Sequence, residues 1–329
     1  MRQFEYAAPK TTQQAVGLLG ANAQILAGGT DLLALMKDDI VQPKRVVNIK
    51  DVGGLAQVGS IYVKDSFSIG ALVRLNDLAD NSDLRRSFPM AAAAIDEAAS
   101  PQIRNMATIG GNLCQRPRCW YFRSGFGLLA MRDGKSMVAE GDNRNHAIIG
   151  NDGPAKFVSP STIAPSLIAY GASTVIVGPK GTRYVPLGKF YRIPTAEGER
   201  EHDLQPSELI TEIWLPTKGP GPTHAAQYEI RQKAAFDWPM ALASVALWMD
   251  GRTVKKANIV LGAVAPVPWV SKEAADALVG KELNEQTADA AGRAAVSIAK
   301  PLSMNAYKVQ LTRVAVKRAL LQAAEGGRG

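Results

Sequence analysis

The chain has 329 residues, 46% hydrophobic and 21% charged, which is the make-up of a globular protein too long for one compact core, so about two domains are expected. No run approaches the ~20 apolar residues that a membrane-spanning helix needs, and the opening MRQFEYAAPKTTQQA has neither the apolar stretch of a secretory leader nor a twin-arginine pair. The net charge of +8, from 38 basic and 30 acidic residues, is dispersed. It forms no RNP, zinc-finger or basic-zipper pattern, which argues for a solvated or docking face and against nucleic acid. Two cysteines, Cys114 and Cys119, exclude a disulfide framework and point to reduced thiols in the cytoplasm, or in the periplasm if a partner carries an export signal.

In chain order, the first 57 residues read as a small unit. It comprises a helix at Gln14–Leu19, a strand at Gln24–Leu26, a break at Gly28-Gly29, a helix at Asp31–Lys37 and a strand at Arg45–Ile49. Ser60–Val63 and Phe67–Ala71, around Lys64-Asp65-Ser66, have the pattern of a hairpin. An alanine-rich helix follows at Met90–Ala99, closed by Pro101. The stretch 114–159 is long, poorly periodic and rich in Gly, Asn, Asp and Arg, as functional or covering loops are.

Strand patterns return at Ser173–Val177 and Leu209–Leu215 before PTKGPGPT, residues 216–223, whose Pro/Gly density marks a domain boundary. Beyond it, Ala241–Met249 and Thr253–Ala263 flank Asp250-Gly251, a type I′ hairpin signal. Helices are expected from a Ser271 cap to Gly280, over Thr287–Ala299 and over Asn305–Ala324. In the last, Tyr307, Leu311, Val314, Arg318 and Leu321 make the core-facing stripe.

Two glycine-rich turns carry the chemistry. In Leu26-Ala27-Gly28-Gly29-Thr30-Asp31-Leu32 a strand runs through paired glycines into a helix, so main-chain amides can approach an anion closely. Thr30 adds a hydroxyl and Asp31 can cap the helix. Thr108-Ile109-Gly110-Gly111-Asn112 repeats the logic. Neither fits G-x-G-x-x-G or a P-loop, so on residues alone the pair reads as a main-chain clamp for a nucleotide-like anion. No Ser-His-Asp set, metal cluster or paired carboxylates stand out, and His146, His202 and His224 are scattered.

AGGTDLL (27–33), QIRNMATIGGN (102–112), Phe236–Pro239 (FDWP), LGAVAPVPW (261–269) and PLSMNAYK (301–308) together resemble the FAD subunit of the xanthine dehydrogenase and aldehyde oxidase family of molybdenum hydroxylases, essentially end to end. The resemblance implies an α+β chain. A two-lobed FAD-binding domain of the vanillyl-alcohol-oxidase-like type would cover 1–220, in lobes of about 1–57 and 58–220 with 114–159 inserted, and a C-terminal α+β domain 221–329. It implies FAD wrapped by both glycine turns, with Leu26, Ala27, Gly28, Gly29, Thr30, Asp31, Leu32, Thr108, Gly110, Gly111, Asn112 and Thr162 as contacts; Thr162 follows Ser159-Pro160-Ser161 where the family usually has Asp. It implies a heterotrimer with a small [2Fe-2S] subunit and a large molybdopterin-binding subunit, no catalytic residue of its own and an external electron acceptor. A stand-alone flavin oxidase of the vanillyl-alcohol type and a non-catalytic nucleotide-binding module are the rival readings.

Subunits of bacterial aldehyde oxidoreductases share Arg118-Cys119-Trp120-Tyr121-Phe122-Arg123, and in several of them this opens a loop holding a [4Fe-4S] cluster on four cysteines. Here only Cys119 matches the set, while the NRNHAIIG stretch of that loop (143–150) is present. The loop reads as retained and the cluster as lost. Glu229 stands where many relatives have Lys before Ile-Arg. The arginines and aromatics of Gln115–Phe122 have the composition of an interface centre, so that segment is expected against a partner subunit, with Arg116 and Arg118 in the contact. Iron analysis of the isolated chain should find FAD and no iron; about four irons per chain, a [4Fe-4S] content, would contradict this.

Overall fold

A computed structural model describes residues 1–59, 65–233 and 236–326, and mixes helices with mostly antiparallel sheets, as the expected α+β class requires. The first sheet is the exception. Its three short strands, Glu5–Ala7, Arg45–Asn48 and Ala23–Leu26, lie in that order and all run parallel. Parallel strands need crossovers: helix Thr12–Leu18, opened by a capping box between Thr11 and Gln14, carries the chain from one edge strand to the other, and helix Leu32–Lys37 returns it to the central strand. Val46 and Val47 of the middle strand are buried, so the sheet is held from its centre.

A second sheet orders Ser66–Gly70, Leu209–Pro216, Ser173–Gly178 and Gly181–Pro186 antiparallel. Phe67, Ile69, Ile213 and Leu215 face a core closed by helices Leu75–Ala79, Pro89–Asp96 and Ala164–Ala169. That core also takes in Ala246 and Val260 of the third sheet. The third sheet, His224–Ile230, Ala241–Asp250, Thr253–Gly262 and Trp269–Val270, is antiparallel, and three helices, Lys272–Leu278, Glu285–Ala295 and Tyr307–Glu325, cover one face. Residues 114–159 carry short helices and a two-stranded ribbon around a small core of their own, in which Phe122, Leu128, Leu129 and Phe157 meet Leu35 of the first unit.

Several local expectations shift. Ser60–Val63 of the expected hairpin lies outside the described residues; Ser66–Gly70 pairs with Leu209–Pro216. Pro101 does not merely close the alanine-rich helix, which ends at Asp96; it opens a short one, Pro101–Arg104, capped by the Ser100 hydroxyl, a position where its missing N–H costs nothing. In the hairpin after Ala241, Asp250 pairs with Thr253, so the loop is Gly251-Arg252 and not Asp250-Gly251. Only Gly251 of those two has positive φ (55°), the pattern of a II′ and not a I′ turn. The bulge at Trp248/Met249 absorbs the offset.

The last helix is rotated from its expected stripe. Its buried face is Lys308, Thr312, Ala315, Val316, Ala319, Leu320 and Ala323, whereas Tyr307 and Arg318 are exposed and Leu311, Val314 and Leu321 half-buried. Large apolar residues misled the pattern because the true seam is built of alanines, packed closely against Glu285–Ala295. Gly292 sets that closeness, since a Cβ on it would lie 2.5 Å from the Arg313 carbonyl oxygen. Leu320→Ala should therefore cost about 2–5 kcal/mol and Leu321→Ala less than about 1 kcal/mol in chemical denaturation. The reverse ranking would restore the expected stripe.

Candidate functional site

The first glycine turn follows directly from the end of strand Ala23–Leu26. Gly28 lies against the chain at Met106, where a Cβ would collide with the carbonyl oxygen. Gly29 turns the backbone with φ 75°, in the left-handed region that a Cβ disfavours. Helix Leu32–Lys37 begins at once, with the Leu33 amide donating to the Gly29 carbonyl. Among the described residues, the amides from Gly28 to Leu32 have no acceptor in the protein. Five consecutive N–H groups are thus left for a ligand or water.

The second turn is built differently. Ile109 N–H donates to the Val73 carbonyl at 3.0 Å and Gly110 N–H to that of Ala71 at 2.9 Å. Thr108 accepts from Gly111 N–H through its hydroxyl at 3.1 Å and from Asn112 N–H through its carbonyl at 2.8 Å. The amides of this turn are already bonded, so it cannot mirror the first as a main-chain anion clamp. Gly110 is small for the sake of Ala71, whose Cβ would lie 2.9 Å from its own. What the turn exposes is Gly111 and the side chain of Asn112, whose Oδ1 accepts from Ser161 Oγ at 2.6 Å.

Asp31 does not cap its helix. Its carboxylate instead accepts from the Arg116 amide at 2.8 Å and pairs with Arg123 at 2.8 Å and Arg118 at 3.1 Å. Arg116 turns inward, 2.6 Å from Glu201, with its guanidinium over the Phe122 ring. Burial lowers Arg116 to about 10, still well above neutrality. Arg118 stacks on the indole of Trp238 at 4.7 Å. The arginines expected at a partner interface are therefore engaged within the chain, pinning residues 115–123 onto the first turn, and Phe122 is buried in the local core.

A cavity of about 630 Å³ lies between these parts, walled by both glycine turns, Gln115, Arg116, Arg118, Thr162, His202 and Trp238, within the ~300–1,000 Å³ range of ligand sites. Leu32, Thr108 and Thr162 line it together with the glycines, so every expected contact except Leu26 reaches its wall. On one side Arg231 is held by Glu229 at 2.7 Å and Glu97 at 2.9 Å. Glu229, where a lysine was expected from the resemblance, acts as a buried anchor for this arginine, and burial raises its pKa. The Thr162 carbonyl accepts from Gln227, the next member of that network.

Sequence reading missed His202, which stacks on Phe190 at 5.2 Å and leaves Nδ1 buried without a partner among the described residues. It also missed the Asp31 knot, for which the only sequence signal was an acid within the glycine motif and three arginines within 116–123. A second cavity of about 260 Å³ adjoins, sharing Arg118, Thr162 and Trp238 with the first and reaching Cys119, His146 and Ser159. Cys119 Sγ lies 3.1 Å from His146 Nε2. Among the described residues no group of three or more His, Cys, Asp or Glu is placed to hold a metal ion, and no helix is long and apolar enough to cross a membrane.

Burial holds His146 down to about 4 and His202 to about 3. An unfolded imidazole takes its proton near 6.5, so as pH falls below ~6.5 the unfolded chain gains protons that the folded chain refuses. Stability should be full above that pH and fall between pH 6.5 and about 3, with His202→Phe flattening part of the slope in urea titrations. An unchanged slope would show that His202 takes up its proton as readily in the fold as in the unfolded chain.

Residues 2–218 match the family described as FAD binding domain in molybdopterin dehydrogenase, and residues 226–323 the carbon monoxide dehydrogenase flavoprotein C-terminal domain. The chain is similar to the aldehyde oxidoreductase FAD-binding subunit PaoB of Escherichia coli, 32% identical over 98% of this chain and 99% of the relative. It is 31% identical to the carbon monoxide dehydrogenase medium chain of Hydrogenophaga pseudoflava, over 97% of this chain and 96% of the relative. A solved structure of carbon monoxide dehydrogenase from that organism, lacking the Mo-pyranopterin moiety, superposes with a TM-score of 0.76 at 29% identity, covering 99% of each chain. The chain therefore belongs to the family of FAD-binding subunits of molybdenum-containing dehydrogenases.

Proposed function

We propose that the larger cavity is the FAD site, with the pyrophosphate against the amides of Gly28–Leu32, and that the chain is the electron-transfer subunit of a molybdenum hydroxylase. The observation that carries this is the run of five amides without a protein acceptor, opening on a cavity of about 630 Å³. The donor set fits a dinucleotide: main-chain N–H groups for two phosphates, apolar wall for rings, and a buried imidazole nitrogen free to bond. Leu26, Ala27, Thr30, Asp31, Thr108, Gly110, Gly111, Asn112 and Thr162 complete the contact set of this reading. Asp31 serves it indirectly, by fixing the turn through the arginines.

FAD, when bound, supplies the electron-carrying chemistry. The chain's residues bind and orient it, and Arg231 presents a guanidinium on the wall. The chain works beside a small [2Fe-2S] subunit and a large molybdopterin-binding subunit, which feed it electrons for an external acceptor. Its place is the cytoplasm, or the periplasm by co-export with a partner. The flavin-binding part covers 1–220 and the remainder is the C-terminal domain. A stand-alone vanillyl-alcohol-type oxidase would need a substrate site with acid–base groups. Likeness along 97–98% of this chain to proteins named as subunits favours the assembly reading.

Gly29→Val should abolish FAD retention, because valine resists φ 75° and the amides lose their aim. Gly111→Val should do so by displacing the Thr108 cap, 2.9 Å from the new Cβ. Either variant purifying folded with a full complement of FAD would contradict the assignment.

A further inference from the structure

Four arginines stand on the wall of the larger cavity, and three of them are committed. Arg231 is held by Glu229 and Glu97, Arg118 by Asp31, and Arg116 by Glu201 at 2.6 Å. Arg200 differs. Its one carboxylate neighbour among the described residues is that same Glu201, 3.7 Å from Nε, too far for a hydrogen bond. The remaining wall carboxylates supply no partner. Glu208 pairs with Arg183, and Asp237 is exposed and accepts from the Trp238 amide at 2.8 Å.

The backbone sets where Arg200 points. Its segment runs beside Phe190–Arg192, with the Arg192 amide donating to the Glu201 carbonyl at 3.0 Å and the Asp203 amide to the Phe190 carbonyl at 2.7 Å. Along it Arg200, His202 and Leu204 reach the cavity wall, while Glu201 and Asp203 do not and turn to Arg116 and Arg183. Arg200 Nη2 donates to His202 Nε2 at 3.2 Å. Arginine only donates, so Nε2 is the lone-pair nitrogen of that ring, and His202, stacked on Phe190, orients the guanidinium. Arg200 Nε is buried with no hydrogen-bond partner among the described residues, a donor whose desolvation nothing in the chain offsets.

The charges around the first glycine turn are unequal. Arg116, Arg118, Arg123 and Arg200 stand against Asp31 and Glu201, four positive to two negative. Asp31 of the turn accepts from the Arg116 amide, and Arg116 shares Glu201 with Arg200, which links Arg200 to this side of the cavity. A surplus of two partly buried positive charges, beside five amides without a protein acceptor, matches a ligand group with two negative ones. A pyrophosphate diester is such a group.

We propose that Arg200 is a ligand of the pyrophosphate, adding a forked, charged donor to the main-chain amides of Gly28–Leu32 and balancing the charge of the site. The proposal rests on the reading of this cavity as a dinucleotide site and extends it. Phosphate recognition is then divided between a glycine turn and a side chain from a distant segment, and His202 is the positioning residue for that side chain.

The test is calorimetric titration of FAD, and of ADP, which shares the pyrophosphate and lacks the flavin, into the full chain freed of cofactor. Arg200→Gln should weaken both at least about tenfold, as loss of a charged hydrogen bond does. Arg200→Lys keeps the charge without the fork and should recover part of the loss. Arg192→Gln, an exposed arginine off the cavity wall, should change neither affinity. Phosphates keep their charge whatever the redox state of the ring, so the flavin midpoint potential should stay at the wild-type value. Full FAD and ADP affinity in Arg200→Gln would overturn the proposal. So would a loss seen with FAD and not with ADP, or a shifted potential, about 30 mV per tenfold difference between redox states for a two-electron couple; either would set the guanidinium against the ring. Wild-type chain that takes ADP through Arg200 and never retains FAD would sink the flavin reading and leave the pyrophosphate contact standing.

Discussion

Gly28 rests its α-carbon against the Met106 carbonyl, where a Cβ would collide with the oxygen. That contact brings a turn of the parallel sheet onto the strand-like approach to helix Ile109–Leu113, joining segments nearly 80 positions apart in sequence. From it follow the spacing of the two glycine turns and the shape of the cavity between them. The Asp31 knot secures the same junction from outside, with Arg116, Arg118 and Arg123 drawn to one carboxylate or its neighbour Glu201. Partly buried ion pairs of this kind contribute little net stability, yet losing one partner leaves a desolvated charge. Their effect here is geometric: they hold the loop 115–123 as a wall.

The two turns look alike in sequence and differ in bonding. Five amides of the first have no protein acceptor, while Ile109, Gly110, Gly111 and Asn112 of the second all donate within the chain. In the proposed site the first turn is the element left to face an anion, and the second is a braced shelf that positions Asn112 and receives Gly28. Arg231, fixed by Glu97 and Glu229, stands at the cavity wall beside the third sheet. Glu229 thus fixes the arginine two positions on.

Much of this was legible in the residues. Paired glycines between a strand and a helix, twice, mark close main-chain approach, and of the two caps read from the sequence Ser271 holds while Asp31 does not. What was illegible depended on distance in space. Whether Gly110 amide meets a ligand or the Ala71 carbonyl is decided by the turn just past strand Ser66–Gly70, 39 positions earlier. Arginine beside aromatics has the same composition in an interface and in an internal knot, so Arg116 and Arg118 could not be sorted without Asp31 and Glu201 in place. The final helix hid its seam because alanine carries a weak hydropathy signal yet packs closest, as at Ala315, Ala319 and Ala323.

The asymmetry of the two turns is the central claim, and amide hydrogen exchange of the chain with and without FAD tests it most directly. The account predicts that FAD slows exchange across Gly28–Leu32, whose amides have no protein acceptor, while Ile109–Asn112 are protected in both states. Equal slowing in both turns, or none in the first, would contradict it.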